Sequence, residues 1–479
     1  MIFEHRQLID GVWCDATNDA TWDVIDPATE AVIRSVPYGG RDDCRLAIEA
    51  ASRAFPTWSA LSPWDRGARL SAGARLMRER AEELGRITVA ESGKPFLQAK
   101  GEWLAAADLF EWFAEQGKRA VGQVLPSRLT NKRMSVIKQP LGVVGVITAW
   151  NFPAYNPARA WAAALAAGCT VVGRPSEFTP LTAMAMASIL VEAGLPAGVL
   201  NLVNGDPEGM GQEMLDHPAC RKISFTGSVR VGKLLMDGAS RTVTRLSLEL
   251  GGNAPVIVFA DADIDSVAAG AVSAKFRNNG QVCVAPQRFL VHHSVADQFT
   301  EKVMERVGRL RLGHGLAPES QVGPLINGRQ RDRVEALCAS AMNQGAKLLT
   351  GGRRSPQFDK GYFFEPTVLV GVEPKHSVFN EEVFGPVLPI LTFDDPGQAV
   401  ALANGTPYGL AAYLFTKDLA TAIRTSEALE FGMIGVNEWA PHATEAPFGG
   451  SKQSGIGHES GAQGLDEYLE QKLISIGGL

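Results

Sequence analysis

Residues 141–177 read LGVVGVITAWNFPAYNPARAWAAALAAGCTVVGRPSE. Two apolar, β-branched runs, 141–149 and 169–173, flank a small-residue stretch at 157–167. Each run is continuous rather than alternating, which is the pattern of a parallel strand buried on both faces. The stretch between them predicts a helix, so the segment reads as strand, helix, strand: one βαβ unit. The rhythm continues outward. Residues 181–193 predict a helix, and 198–203 and 222–225 predict strands. A second set follows, with strands at 254–259 and 288–292 and helices at 264–276 and 295–310. Upstream, 42–113 is rich in alanine, arginine and glutamate at helical spacing. The economical reading is two doubly wound α/β halves with a seam near Gly251–Gly252. In such sheets the active site lies in the crevice at the strand C-terminal ends.

Composition narrows the class. A chain of 479 residues is too long for one ordinary core and implies two large domains or three. Hydrophobic content of 45% with 20% charged residues fits a soluble globular protein. The net charge of −6 gives no electrostatic case for nucleic acid or an anionic membrane. No apolar run is long enough to span a bilayer, and the first residues lack a signal-peptide pattern. The 6 cysteines are scattered, without CxxC or zinc spacing, so a reducing, cytoplasmic setting and no metal are expected.

Four stretches could carry chemistry. FTGSVRVGKLL (225–235) nearly matches the phosphate loop GxxxxGK[ST], but Leu234 stands where the magnesium-binding hydroxyl belongs. A triphosphatase is therefore not expected. A strand, Gly227, Gly232 and a helix N-terminus still suit a pyrophosphate. In SLELGGNAPVIV (247–258), Glu249 at an apolar strand end is either a desolvated general base or a hydrogen-bonded structural carboxylate. Gly251 and Gly252 after it would let the backbone approach a ligand. In TAWNFPAYNPAR (148–159), Asn151 is either an oxyanion donor or a turn residue. In FRNNGQVCVAPQRFLVH (276–292), Cys283 sits where a polar loop meets a strand, as a reactive thiol or as a packed one.

WNFP, RPSEFTP, FTGSVRVG, LELGGNAP, GQVC, EEVFGP and PFGGSKQSG occur in the order found in the NAD(P)-dependent aldehyde dehydrogenase superfamily, and the resemblance spans nearly the whole chain. The chain most resembles the succinate-semialdehyde and α-ketoglutarate-semialdehyde branch. The resemblance implies an α/β fold with two doubly wound domains and a β-flap. A cofactor-binding domain would occupy 1–117 and 138–249, a catalytic domain 250–451, and an oligomerisation flap 118–137 and 469–479, pairing subunits into a homodimer or homotetramer. It implies Cys283 as nucleophile, Asn151 as oxyanion donor and Glu249 as the base for hydrolysis. NAD, with NADP as an option, would meet Trp150, Arg174, Ser176, Glu177, Gly227, Ser228, Gly232, Leu250, Glu382 and Phe384. Arg159, Arg277, His442 and Phe448 would hold the aldehyde, a small molecule with its own carboxylate. The rival for each arginine is a protein acid such as Asp108 or Glu111.

Three departures from the family pattern matter. Arg174 replaces the usual lysine. Ala285 excludes a disulfide beside the nucleophile. Ala160 replaces a lysine that, in many relatives, joins a proton relay with a glutamate matching Glu459, so any relay here would use water. Rival readings are an α-ketoglutarate-semialdehyde, aromatic or aliphatic substrate, or a catalytically silent relative. Trp439, Phe152 and Tyr155 could line an aromatic pocket, with core packing the favoured reading for Phe152 and Tyr155.

Overall fold

The computed structural model describes residues 3–479. The first large sheet orders its strands Val12–Cys14, Gln7–Ile9, Leu200–Leu202, Thr170–Arg174, Val143–Ile147, Cys220–Thr226, Arg245–Glu249 and Gly455–Ile456. Its inner strands pair in parallel and both edges are antiparallel. The second sheet orders Lys347–Thr350, Thr367–Val370, Val387–Phe393, Pro286–His292, Ala254–Val258, Ala411–Phe415 and Met433–Val436, parallel except at its first pair.

Within 141–177, strands Val143–Ile147 and Thr170–Arg174 lie side by side in parallel, joined by helix Tyr155–Ala167. Every residue of that helix except Tyr155 is buried. A helix apolar on all sides must be covered on all sides. The sheet lies on one side, and helices Pro63–Glu79 and Phe96–Gln116 pack on others. Gly173 permits the close approach, since a Cβ there would lie 2.6 Å from Cζ2 of Trp161.

Several boundaries differ from expectation for physical reasons. At its C-terminal end the first strand stops short of 149, because Ala149 to Asn151 leave the sheet to form the site. The helix begins before 157, because Glu102 accepts from the N–H groups of Ala154 (2.7 Å) and Tyr155 (3.1 Å). That carboxylate caps a helix start whose own sequence offers no capping side chain. The stretch 42–113 splits into helices Arg41–Ala60, Pro63–Glu79, Ala81–Ser92 and Phe96–Gln116, the last break falling at Gly93–Lys94–Pro95.

A separate three-stranded sheet joins Gln123–Leu125, Lys132–Pro140 and Leu469–Gly477. The last two pair antiparallel along their full length, from Leu469 opposite Pro140 to Gly477 opposite Lys132. Leu473 and Ile476 remain exposed on it.

Candidate active site

Cys283 lies in a turn between helix Ile264–Phe276 and strand Pro286–His292. The approach to it is shaped by Asn278 and Asn279, both left-handed at φ 47° and 57°, a conformation asparagine tolerates better than most residues. Gln281 locks the turn: its amide donates to the Asn278 carbonyl (3.2 Å), and its side-chain oxygen accepts from the Ile326 N–H (3.0 Å).

Gly251 lines the larger of the two cavities beside Cys283, and both glycines also serve close protein contacts. A Cβ on Gly252 would lie 2.4 Å from the Cys283 carbonyl oxygen, and one on Gly251 would lie 2.5 Å from a Glu382 carboxylate oxygen. The pair lets two protein groups close in, and the Gly252 N–H donates to Glu382 (2.9 Å).

Asn151 follows strand Val143–Ile147 and is buried. Its Nδ2 donates to the Gln281 carbonyl (3.1 Å), and its Oδ1 accepts from Asn156 Nδ2 (3.2 Å). This bonding turns the amide N–H side toward the Cys283 loop. Glu249 ends its strand, buried, with one carboxylate oxygen lacking any hydrogen-bond partner. Burial holds its pKa well above the carboxylate range; Glu459 adds to the shift and Arg159 opposes it. Burial likewise pushes the Cys283 thiol up to about 12, with Arg159 opposing and Glu249 reinforcing. Glu382 rises to about 7, again mainly through burial.

Cys283 borders two cavities. One, of about 410 Å³, is lined by Trp150, Asn151, Gly227, Ser228, Glu249, Leu250, Glu382 and Phe384 among others. Ser228 caps helix Val229–Ala239, whose N-terminus opens here, and Trp150 meets Phe384 edge-on at 5.4 Å. Gly232 does not line this cavity; it lies beneath Leu250, where a Cβ would come within 2.7 Å. Its small size serves helix packing rather than ligand contact. Arg174, Ser176 and Glu177 stand apart from the cavity, at the end of strand Thr170–Arg174. Arg174 donates to Glu177 (2.9 Å) and to the Gly205 carbonyl (2.7 Å), so its charge is already engaged.

The second cavity, of about 230 Å³, brings Arg159, Arg277, His442 and Phe448 together with Cys283. Phe152 and Tyr155 line it too, contrary to the core-packing expectation. Trp439 does not line it; it packs on Tyr413 and Phe415. Asp108 and Glu111 are taken by Arg78, so neither neutralises the pocket arginines. Arg159 meets a different acid: its Nε lies 2.8 Å from Glu459, in a charge contact not aligned as a hydrogen bond. Its Nη2 donates to Asn156 (3.2 Å), while Nη1 is buried without a partner. The space expected to hold a relaying water beside Glu459 thus has a guanidinium in contact with that acid. Arg277 has no carboxylate partner among the described residues and lies 5.3 Å from the Phe152 ring centre. His442 is driven down to about 4 by burial and by both arginines, so it is neutral near pH 7 and adds no charge.

Sequence reasoning passed over Lys94, Glu102, Asn278 and Gln281, which hold the Asn151 loop in place. The signal available was the Gly-Lys-Pro break at 93–95, a lysine stranded between two helices. Among the described residues no cluster of three or more His, Cys, Asp or Glu is placed to hold a metal. No helix among the described residues is long and apolar enough to cross a membrane.

A thiol, a buried carboxylate and an amide donor converging between two cavities define a site for nucleophilic attack on a carbonyl. The aldehyde dehydrogenase family model matches residues 13–474, and the chain belongs to that family. It is 44% identical to the succinate-semialdehyde dehydrogenase (NADP(+)) GabD of Escherichia coli (strain K12), covering 99% of this chain and 98% of the relative. It is also 44% identical to a glutarate-semialdehyde dehydrogenase of Pseudomonas putida (strain KT2440), with the same coverage. A solved succinate-semialdehyde dehydrogenase from Burkholderia pseudomallei superposes with a TM-score of 0.98 at 46% identity, covering 99% of this chain and 98% of that one.

Proposed function

We propose that the chain oxidises an ω-carboxylated aldehyde, succinate semialdehyde first, to the acid, using NAD(P). The carrying observation is the 230 Å³ cavity, with Cys283 beside two arginines that share a single carboxylate contact among the described residues, Glu459 on Arg159, which leaves one positive charge over. Two guanidinium groups near a desolvated pocket favour an anion between them, and a carboxylate can meet them in charge-assisted hydrogen bonds. Arg159 offers its unpartnered Nη1 from inside and Arg277 stands exposed at the mouth. The neutral His442 contributes a hydrogen bond rather than a charge. Glutarate semialdehyde is the second reading, favoured by equal identity to the P. putida enzyme.

In this reading the Cys283 sulfur attacks the carbonyl and forms a thiohemiacetal, its proton passing to solvent. The Asn151 amide and the Cys283 N–H stabilise the oxyanion. Collapse restores the carbonyl as a thioester, and bound NAD(P) supplies the hydride acceptor for that step. Glu249 then takes a proton from water, which hydrolyses the thioester and frees the acid. The 410 Å³ cavity suits a dinucleotide: the helix opening at Ser228 presents N–H groups to a pyrophosphate, and Trp150, Leu250, Glu382 and Phe384 surround the end nearest Cys283. Glu177 would hold the adenosine ribose. We assign the segments 1–117 and 138–249 to the cofactor and 250–451 to catalysis. The flap would join subunits into a homodimer or homotetramer, and the unpaired cysteines suit a reducing, cytoplasmic setting.

Steady-state kinetics of Arg277→Ala test the substrate reading. KM for succinate semialdehyde should rise about 10-fold or more, since hydrogen bonds to charged groups are worth roughly 1.5–3 kcal/mol. KM for butanal should change little. Equal losses on both aldehydes would make the arginine structural.

A further inference from the structure

Lys94 and Glu102 are both buried, and their charged ends meet within the protein. Burying an ion pair costs desolvation that mutual attraction recovers only in good geometry, so the pair is a poor stabiliser compared with an apolar one. What it touches is informative. Lys94 Nζ also donates to the Asn151 carbonyl (2.8 Å) and lies 4.4 Å from the Phe152 ring centre. The second oxygen of Glu102 accepts from Ala154 and Tyr155, three and four residues beyond Asn151. Asn278 Nδ2 reaches the same Asn151 carbonyl from the cysteine loop (2.9 Å). The lysine itself comes from a wedged segment: the Phe96 N–H donates to the Gly315 carbonyl, and a Cβ on Gly315 would lie 2.2 Å from the Lys94 carbonyl oxygen.

We infer that Lys94 and Glu102 are positioning residues for the oxyanion donor. Lys94 fixes the peptide plane that follows Asn151, and Glu102 fixes the chain just beyond it. Together they leave the Asn151 side chain one orientation, N–H toward the Cys283 loop. Neither is assigned to the reacting carbonyl; each acts through Asn151. The inference rests on the reading of Asn151 as oxyanion donor.

That dependence sets the experiment, which needs no cofactor. Acylation of Cys283 by 4-nitrophenyl acetate passes through a tetrahedral oxyanion, whereas alkylation by iodoacetamide displaces iodide and forms none. Both rates would be measured for the unaltered protein, Lys94→Met, Glu102→Gln, Asn151→Ala, and each of the first two combined with Asn151→Ala. Glu102→Gln keeps shape and acceptor, so it serves if Lys94→Met folds poorly. Removing an oxyanion donor typically costs 10²–10³-fold, so the single positioning variants should slow acylation by roughly 10–100-fold. Alkylation should stay within about 2-fold. In the Asn151→Ala background the further loss should nearly vanish, since residues acting through one group are not additive. If Asn151→Ala leaves acylation unchanged, the oxyanion assignment fails and the inference with it. If Asn151→Ala slows acylation but the other variants add their full losses to it, or slow alkylation equally, or slow neither, only the positioning role is overturned.

Discussion

At neutral pH the Cys283 thiol is protonated, because burial pushes it up to about 12. The sulfur must therefore shed its proton to solvent as it attacks, while Glu249, its proton affinity raised by its own burial and by the neighbouring Glu459, serves the later hydrolysis. The division of labour predicts distinct failures. Cys283→Ala should abolish dehydrogenase activity while leaving the thermal melting point nearly unchanged, since it removes one sulfur that borders two cavities rather than a packed core. Glu249→Gln should still give a single burst of reduced cofactor in stopped flow and then stall, because hydrolysis of the thioester loses its base. Full turnover by Cys283→Ala would end the covalent mechanism. The pH profile follows with a definite sign. Turnover needs Glu249 ionised, so kcat should climb along an acidic limb set well above the ordinary carboxylate range. Glu459→Gln removes a repelling carboxylate and leaves Arg159 freer to attract Glu249. The limb should then move to lower pH; an unmoved limb would show that the two carboxylates do not communicate.

Among the elements, strand Thr170–Arg174 shows what a sequence can disclose. Its continuous apolar run marked a doubly covered parallel strand, and the family pattern adds the expectation that Glu177 just beyond it holds a ribose. The Arg174–Glu177 pair was not legible, because it depends on rotamers and on the Gly205 carbonyl arriving from another loop. It changes the cofactor expectation. Arg174 is occupied while Glu177 is present, and a 2′-phosphate beside that carboxylate would meet like charge, costing about 1–4 kcal/mol at effective dielectrics of 80 to 20. NAD should be preferred. Glu177→Ala should free Arg174 for the phosphate and raise the NADP-to-NAD ratio of kcat/KM at least about 10-fold. A ratio that stays fixed would refute the assignment. The same limit explains the other misreadings. Periodicity locates helix Tyr155–Ala167, but its first turn depends on Glu102 from a helix far off in sequence. Spacing placed Arg159 near Asn151, but its contact with Glu459 is made only by the folded chain. Trp439 and Phe152 exchanged their expected roles because residue type gives aromatic character and not direction.

On the scale of the whole molecule, the three-stranded flap leaves Leu473 and Ile476 exposed on a long, regular strand, a surface that usually meets a partner. Replacing both with aspartate should shift the protein toward smaller species in analytical ultracentrifugation; an unchanged sedimentation coefficient would remove the flap from the interface. The strand Gly455–Ile456 carries a different implication. It closes the edge of the first sheet against Arg245–Glu249, and Ser454 bonds the Gly251 carbonyl. The first sheet is thus closed by residues that follow the whole second sheet in the chain. During synthesis an open sheet edge must wait while the entire second sheet is made and folds. Such long-range closure is slow and exposes an unpaired edge to neighbouring chains. Biogenesis is therefore a stage at which this edge is open to pairing with other chains.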